Sequence, residues 1–178
     1  MKIKTKVGLL LLLFISAFSC DELDEITEID ITQDFTRTFN VSVQEDSEGQ
    51  PQSFSSAITL DITDNEDIQN NIDLIQNISI NSITYEIINF SGSEDAMLTD
   101  GQLTYGTNSI TVSNINLEQS DIDNTIYTIS DTSGFNSLAN DLENDQVVNM
   151  SLTGTVNETP VAFDVEVTFD LTVTIDVL

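Results

Sequence analysis

The stretch Val161-Ala-Phe-Asp-Val-Glu-Val-Thr-Phe-Asp-Leu-Thr-Val-Thr-Ile-Asp-Val177 carries an apolar residue at every odd position and Asp, Glu, Thr or Ala at every even one. Successive side chains of a strand point to opposite faces, so a period of two marks a ribbon with one dry face. A helix, with its longer period, cannot give nine such matches in a row. The opposite end of the chain repeats the pattern. Ile29, Ile31, Phe35, Phe39, Val41 and Val43 occupy odd positions, and every even position from Asp30 to Ser42 is polar.

Shorter strands lie between these two. Phe54, Ile58, Leu60 and Ile62 define one, and Ile78 to Phe90 another, in which apolar parity slips between Ile80 and Ile83 and predicts a bulge. Residues 96–106, 109–117 and 125–129 predict three more, bounded by Gly101, Gly106 and clusters of Asn, Asp and Ser. Val148, Met150, Leu152 and Val156 form a strand that Asn157-Glu158-Thr159-Pro160 is expected to turn back, as a hairpin, onto the C-terminal one. Two segments change to helical spacing. Ile68, Ile72 and Ile75 follow Asp64 as a cap with Asp67 in the first turn, and Phe135, Leu138, Ala139 and Leu142 follow Ser133. Many strands with two short helices predict an all-β fold, an antiparallel β-sandwich. The alternative is a β-barrel with helical plugs.

The N-terminus has the anatomy of an export signal: Lys2, Lys4 and Lys6, then an apolar run from Val7 to Phe18, then small residues beside Cys20. That run falls well short of the roughly 20 residues that a membrane-spanning helix needs. Ala17-Phe18-Ser19-Cys20 resembles the lipobox cut by lipoprotein signal peptidase, which implies a diacylglycerol on Cys20. Cys20 is the sole cysteine, so no internal disulfide competes for it. The acidic run Asp21-Glu22-Leu23-Asp24-Glu25 resembles the surface-export signal of Bacteroidota lipoproteins. The expected organisation is a signal peptide over 1–19, an acidic tether over 20–27 and one domain over 28–178. With its Asn/Asp/Ile-rich strands, the chain resembles small β-sandwich lipoproteins of the Bacteroidota. The resemblance implies an outer-membrane location, lipid-anchored and presented at the cell surface.

Removal of residues 1–19 would leave Arg37 as the one cation against 31 carboxylates, a formal net charge of −30. Such a field repels phosphate backbones and anionic headgroups, so nucleic acid is excluded as a partner. There is no histidine, and no lysine after residue 6. That removes Ser-His-Asp and Cys-His machinery, Schiff-base chemistry and histidine metal sites. Rossmann and Walker glycine patterns are absent too. Carboxylate-pair glycoside chemistry survives on composition alone, but there is no Trp. Of the three tyrosines, Tyr85 and Tyr105 share the parity of apolar neighbours and are expected in the core.

Two acidic segments offer oxygen ligands of the kind Ca²⁺ takes: Asp61, Asp64, Asn65, Glu66 and Asp67, then Asp121, Asp123 and Asn124. Neither has EF-hand spacing, and helix capping and solvated loops are the expected roles, so no metal, cofactor or catalytic residue is assigned. Arg37 occupies an inward parity position. Some Bacteroidota fimbrial subunits are trimmed after an arginine near the N-terminus, which makes Arg37 a candidate processing site; the simpler expectation is a bulge or a rim arginine paired with carboxylates. The chain is thus expected to be a non-enzymatic, lipid-anchored envelope protein with a binding or structural role. A fimbrial or adhesin subunit and a glycan-binding accessory lipoprotein are the alternatives. The partner is the membrane through the lipid, plus an unidentified protein or glycan.

Overall fold

The computed structural model describes residues 28–45 and 51–177. Among the described residues, nine strands form two antiparallel sheets. In chain order they are β1 (Glu28–Val43), β2 (Gln52–Asp61), β3 (Ile75–Ser91), β4 (Met97–Tyr105), β5 (Asn108–Val112), β6 (Ile115–Asn116), β7 (Tyr127–Ile129), β8 (Val147–Val156) and β9 (Val161–Asp176). One sheet runs β1-β9-β3-β7 and the other β2-β8-β4-β5, with short β6 appended to β4. The sheets stay separate, so the architecture is the sandwich and not the barrel.

With β6 set aside, the first strand pairs with the eighth, the second with the seventh, the third with the sixth and the fourth with the fifth. That nesting is a jelly roll, in which consecutive strands alternate between sheets on either side of the central β4-β5 hairpin. It corrects one expectation. Asn157 to Pro160 connects β8 to β9, but the two strands lie in different sheets and do not pair. The turn is an arch between sheets, and the alternation is the same for an arch as for a hairpin.

β9 is the spine. It lies between β1 and β3, its register with β1 runs unbroken from Glu28↔Asp176 to Val43↔Val161, and Val161 through Ile175 are buried at every odd position. β3 shifts register between Ile80 and Ser82, where the parity slip predicts a bulge. Phe54 on β2 meets Phe163 on β9 edge to face at 5.7 Å, joining the two sheets through a favoured aromatic geometry. It can lean there because β8 carries Gly154, where a Cβ would sit 2.7 Å from the Phe54 ring and 2.8 Å from the Asp100 carbonyl.

Among the described residues, three helices close the sandwich: α1 (Glu66–Asn70), α2 (Leu117–Ile122) and α3 (Thr132–Asp145). The first expected helix shortens to a single turn or so between two 3₁₀ turns, and its cap is Asn65, which accepts from the Asp67 and Ile68 amides, not Asp64. Ile75 belongs to β3. α2 replaces the end of an expected strand. Asn116 caps it by accepting from the Gln119 amide at 2.7 Å. This is an Asn-x-x-Gln start signal that the Ile115/Leu117 alternation conceals. α3 begins at an Asp131 cap, two residues before Ser133, and buries Leu138, Ala139 and Leu142.

Candidate functional site

Cys20 and the acidic tether lie outside the described residues. The other candidates are placed, and most have structural work. The Arg37 side chain leaves its inward position opposite Val167, with no bulge, and crosses to the edge of the other sheet. Its guanidinium donates to the carbonyls of Thr36 (2.9 Å), Thr59 (3.0 Å) and Asp61 (3.0 Å) and to Asp64 Oδ2 (2.5 Å). Arg37 therefore clasps the two edge strands β1 and β2 and occupies edge acceptors that would otherwise be free to pair with another chain. The Arg37–Thr38 bond lies within a fully registered strand, so proteolysis there requires β1 to open.

The first acidic segment is a set of caps. Asp61 accepts from the Thr63 amide and hydroxyl, Asn65 caps α1, and Asp64 holds Arg37. In the second segment, Asp121 on α2 accepts from the Phe90 amide at 2.9 Å, while Glu143 on α3 accepts from the Ile78 amide at 2.7 Å. β7 covers only Ile83 to Tyr85 of β3. Helix-borne carboxylates thus satisfy edge amides on either side of it, as buried backbone donors require. Asn124 adopts a left-handed conformation (φ 50°) and bonds back to the Ile122 carbonyl. Among the described residues, no three His, Cys, Asp or Glu side chains are grouped to hold a metal.

Tyr105 is fully buried, as its parity predicts. Its hydroxyl lies beside Asp131 without hydrogen-bond geometry, and a Cβ on Gly134 would come within 2.7 Å of it. Burial first, then the Asp131 carboxylate, raise the phenol pKa. The Asp131 carboxylate is itself held below its ordinary pKa, chiefly by the Ser133 hydroxyl and then by the Gly134 amide. Tyr85 is half-buried and stacks on Tyr127 at 4.8 Å, where burial and then the Tyr127 phenol push its pKa up to about 12.

What the structure adds is a contrast between the two outer faces. On the β1-β9-β3-β7 sheet, even-numbered positions carry Asp30, Asp34, Glu86, Asp164, Glu166 and Asp170 among threonines. Many of these side chains satisfy one another: Thr32 with Thr172 and Thr36 with Thr168 at 3.0 Å, Thr174 on Asp30 at 2.7 Å, and Asn40 and Asn89 together on Asp164. Asn81 adds bonds to Asp170 and Thr172. The outer face of the β2-β8-β4-β5 sheet instead aligns Ser55↔Thr153↔Gln102↔Thr111 and Ala57↔Ser151↔Thr104↔Ser109 across its strands, with no charge in either row.

Two open depressions lie on this face. One, of about 360 Å³, is lined among others by Ser53, Gln102, Thr111 and Thr153; the other, of about 460 Å³, by Thr59, Thr104, Asn149 and Ser151. Among the described residues, Asp100 is the only carboxylate that lines either, at the first. No motif in the sequence marks these residues. The one available signal was that polar positions of 53–59 and 149–155 are uncharged while those of 164–170 are mostly acidic.

No protein-family model matches the chain, and no curated protein does. Among solved structures, a decameric BFDV capsid protein is similar over 82% of this chain and 99% of its own, at 11% identity and a TM-score of 0.45. The Desmodium yellow mottle tymovirus structure is similar over 84% of this chain and 90% of its own, at 7% identity and a TM-score of 0.31. The infectious bursal disease virus VP2 subviral particle is similar over 83% of this chain and 38% of its own, at 13% identity and a TM-score of 0.33. These are likenesses of fold alone, and the assignment of this chain to the jelly-roll β-sandwiches rests on its own strand order.

Proposed function

We propose that the chain is a non-enzymatic, lipid-anchored outer-membrane protein, presented at the cell surface, whose sandwich serves a binding or structural role. The observation that carries the reading is the apolar run from Val7 to Phe18, ending beside Ser19-Cys20 and followed by an acidic tether. A run of that length is an export signal and is too short to span a bilayer. Two or three acyl chains at ~0.8 kcal/mol per buried CH₂ hold a protein on a membrane without a spanning helix. The composition supports a binding role, since it lacks histidine throughout and lysine after residue 6.

Mass spectrometry of the mature chain tests the anchor. The expected result is a diacylglyceryl modification on Cys20, lost in Cys20→Ala together with membrane association. An unmodified Cys20 in the mature wild-type chain refutes it. Protease shaving of intact cells tests the surface location: the sandwich should be accessible without lysis.

A further inference from the structure

We propose that the outer face of the β2-β8-β4-β5 sheet binds an uncharged polysaccharide chain. This deepens the reading of the chain as a binding protein, and it does not depend on the lipid.

Two independent contrasts single out this face. The first is charge. Carboxylates stud the outer face of the opposite sheet, whereas the central rows here hold only hydroxyls, methyl groups and one amide, from Ser55, Thr153, Gln102 and Thr111 to Ala57, Ser151, Thr104 and Ser109. An anionic polymer approaching a chain of this net charge is repelled at long range, and a cationic one finds its partners on the other sheet. A neutral ligand neither gains nor loses from the field, so it binds where short-range contacts are best.

The second contrast is in hydrogen bonding. On the acidic face the short polar side chains are largely engaged with one another. Here Ser55, Thr104, Thr111, Ser151 and Thr153 make no hydrogen bond to another side chain within the described residues, and the few bonds nearby are long: Gln102 donates to Ser109 at 3.2 Å, Ser53 pairs with Thr155 at 3.3 Å and Thr59 donates to Asn149 at 3.4 Å. Each hydroxyl is at once a donor and an acceptor. A row of them suits a ligand whose own groups are hydroxyls, because every contact can be satisfied in either sense.

The shape agrees. The backbone at Gly101, Gly154 and Gly106 and the methyl group of Ala57 line the two depressions, where the apolar face of a sugar ring can rest. The depressions are neighbours along β8, which lines them from Asn149 to Thr155. At ~3.4 Å per residue they span about 20 Å of strand. An extended chain laid along the strand fills both, whereas a single sugar fills neither. Phe54 also lines the first depression, but its ring packs edge to face on Phe163, so recognition is chiefly by hydrogen bonds and close contact.

Affinity electrophoresis of the full chain, in a detergent without a sugar headgroup, tests this in non-denaturing gels cast with laminarin, yeast mannan or dextran, with alginate as the anionic polymer. At least one neutral polymer should retard the protein and alginate should not. The double variant Ser151→Gln/Thr153→Gln, which fills both depressions without adding charge, should lose the retardation. Thr36→Gln/Thr172→Gln on the opposite face should keep it. The proposal is overturned if no neutral polymer retards the chain, if alginate does so equally, or if the Ser151/Thr153 variant is still retarded. It is also overturned if sedimentation shows a dimer that this variant dissociates, which would make the face a contact between copies. None of these results touches lipidation of Cys20, so failure here is separable from failure of the anchor.

Discussion

Replacing Arg37 by methionine keeps much of the side-chain length and removes the donors that join the edge strands. Three of its four bonds go to backbone carbonyls, of Thr36, Thr59 and Asp61, and one to the Asp64 carboxylate. A hydrogen bond with a charged partner contributes roughly 1.5–3 kcal/mol when buried. The Arg37 side chain is 21% exposed, so water can reach the freed carbonyls. The expected loss for all of them together is about 2–3 kcal/mol. The Asp64 side chain is 64% exposed, and an ion pair of that kind contributes only about 0–1 kcal/mol. Arg37→Met should therefore lower the urea midpoint by about 0.7–3 M for a slope of about 1–3 kcal/mol/M, while Asp64→Asn lowers it little and less still at high salt. Arg37 is the only tryptic site after residue 6. One cut by trypsin thus reports opening of β1, and Asp64→Asn should be cut barely faster than wild type. Equal losses in the two variants, or no loss in Arg37→Met, would refute the assignment of the clasp to the carbonyls.

Val167 is fully buried on β9 between Arg37 and Tyr85. Val167→Asp should cost several kcal/mol, a large part of an ordinary stability of roughly 5–15 kcal/mol, and abolish cooperative unfolding; Thr168→Lys, one residue on, should be mild in the same thermal scan. The Asp131 carboxyl is held below its ordinary pKa in the folded chain, so its contribution is fully present above the unfolded value of 3.8 and is lost as pH falls through the lower folded value. Melting temperatures between pH 5 and pH 2 should therefore fall less steeply in Asp131→Asn, which cannot titrate, than in wild type.

How much was legible in advance follows from how local each signal is. Alternation is a property of single strands, so β1 and β9, the β3 bulge, the burial of Val165 through Val173 and the core place of Tyr105 could be read without a partner in view. The all-β class follows from the same pattern, and the separation of the two sheets chose the sandwich over the barrel that one-sided ribbons also allow. Capping is almost as local, yet Asp64, Asn65 and Asp61 compete for one helix start, and the Arg37 guanidinium, arriving from another sheet, takes Asp64 out of that competition. Sheet membership is not local at all. An arch and a hairpin demand the same residues at Asn157 to Pro160, and β9 pairs with β1, at the far end of the domain sequence, a pairing that no local signal in either strand specifies. The contrast between the acidic face and the neutral one exists only after strands from distant parts of the chain are laid side by side, since each contributes two or three residues and none carries a motif. The sequence alone settled what each strand buries; only the tertiary structure decided which strands share a surface, because that choice is made by packing between sheets and leaves no mark on any one of them.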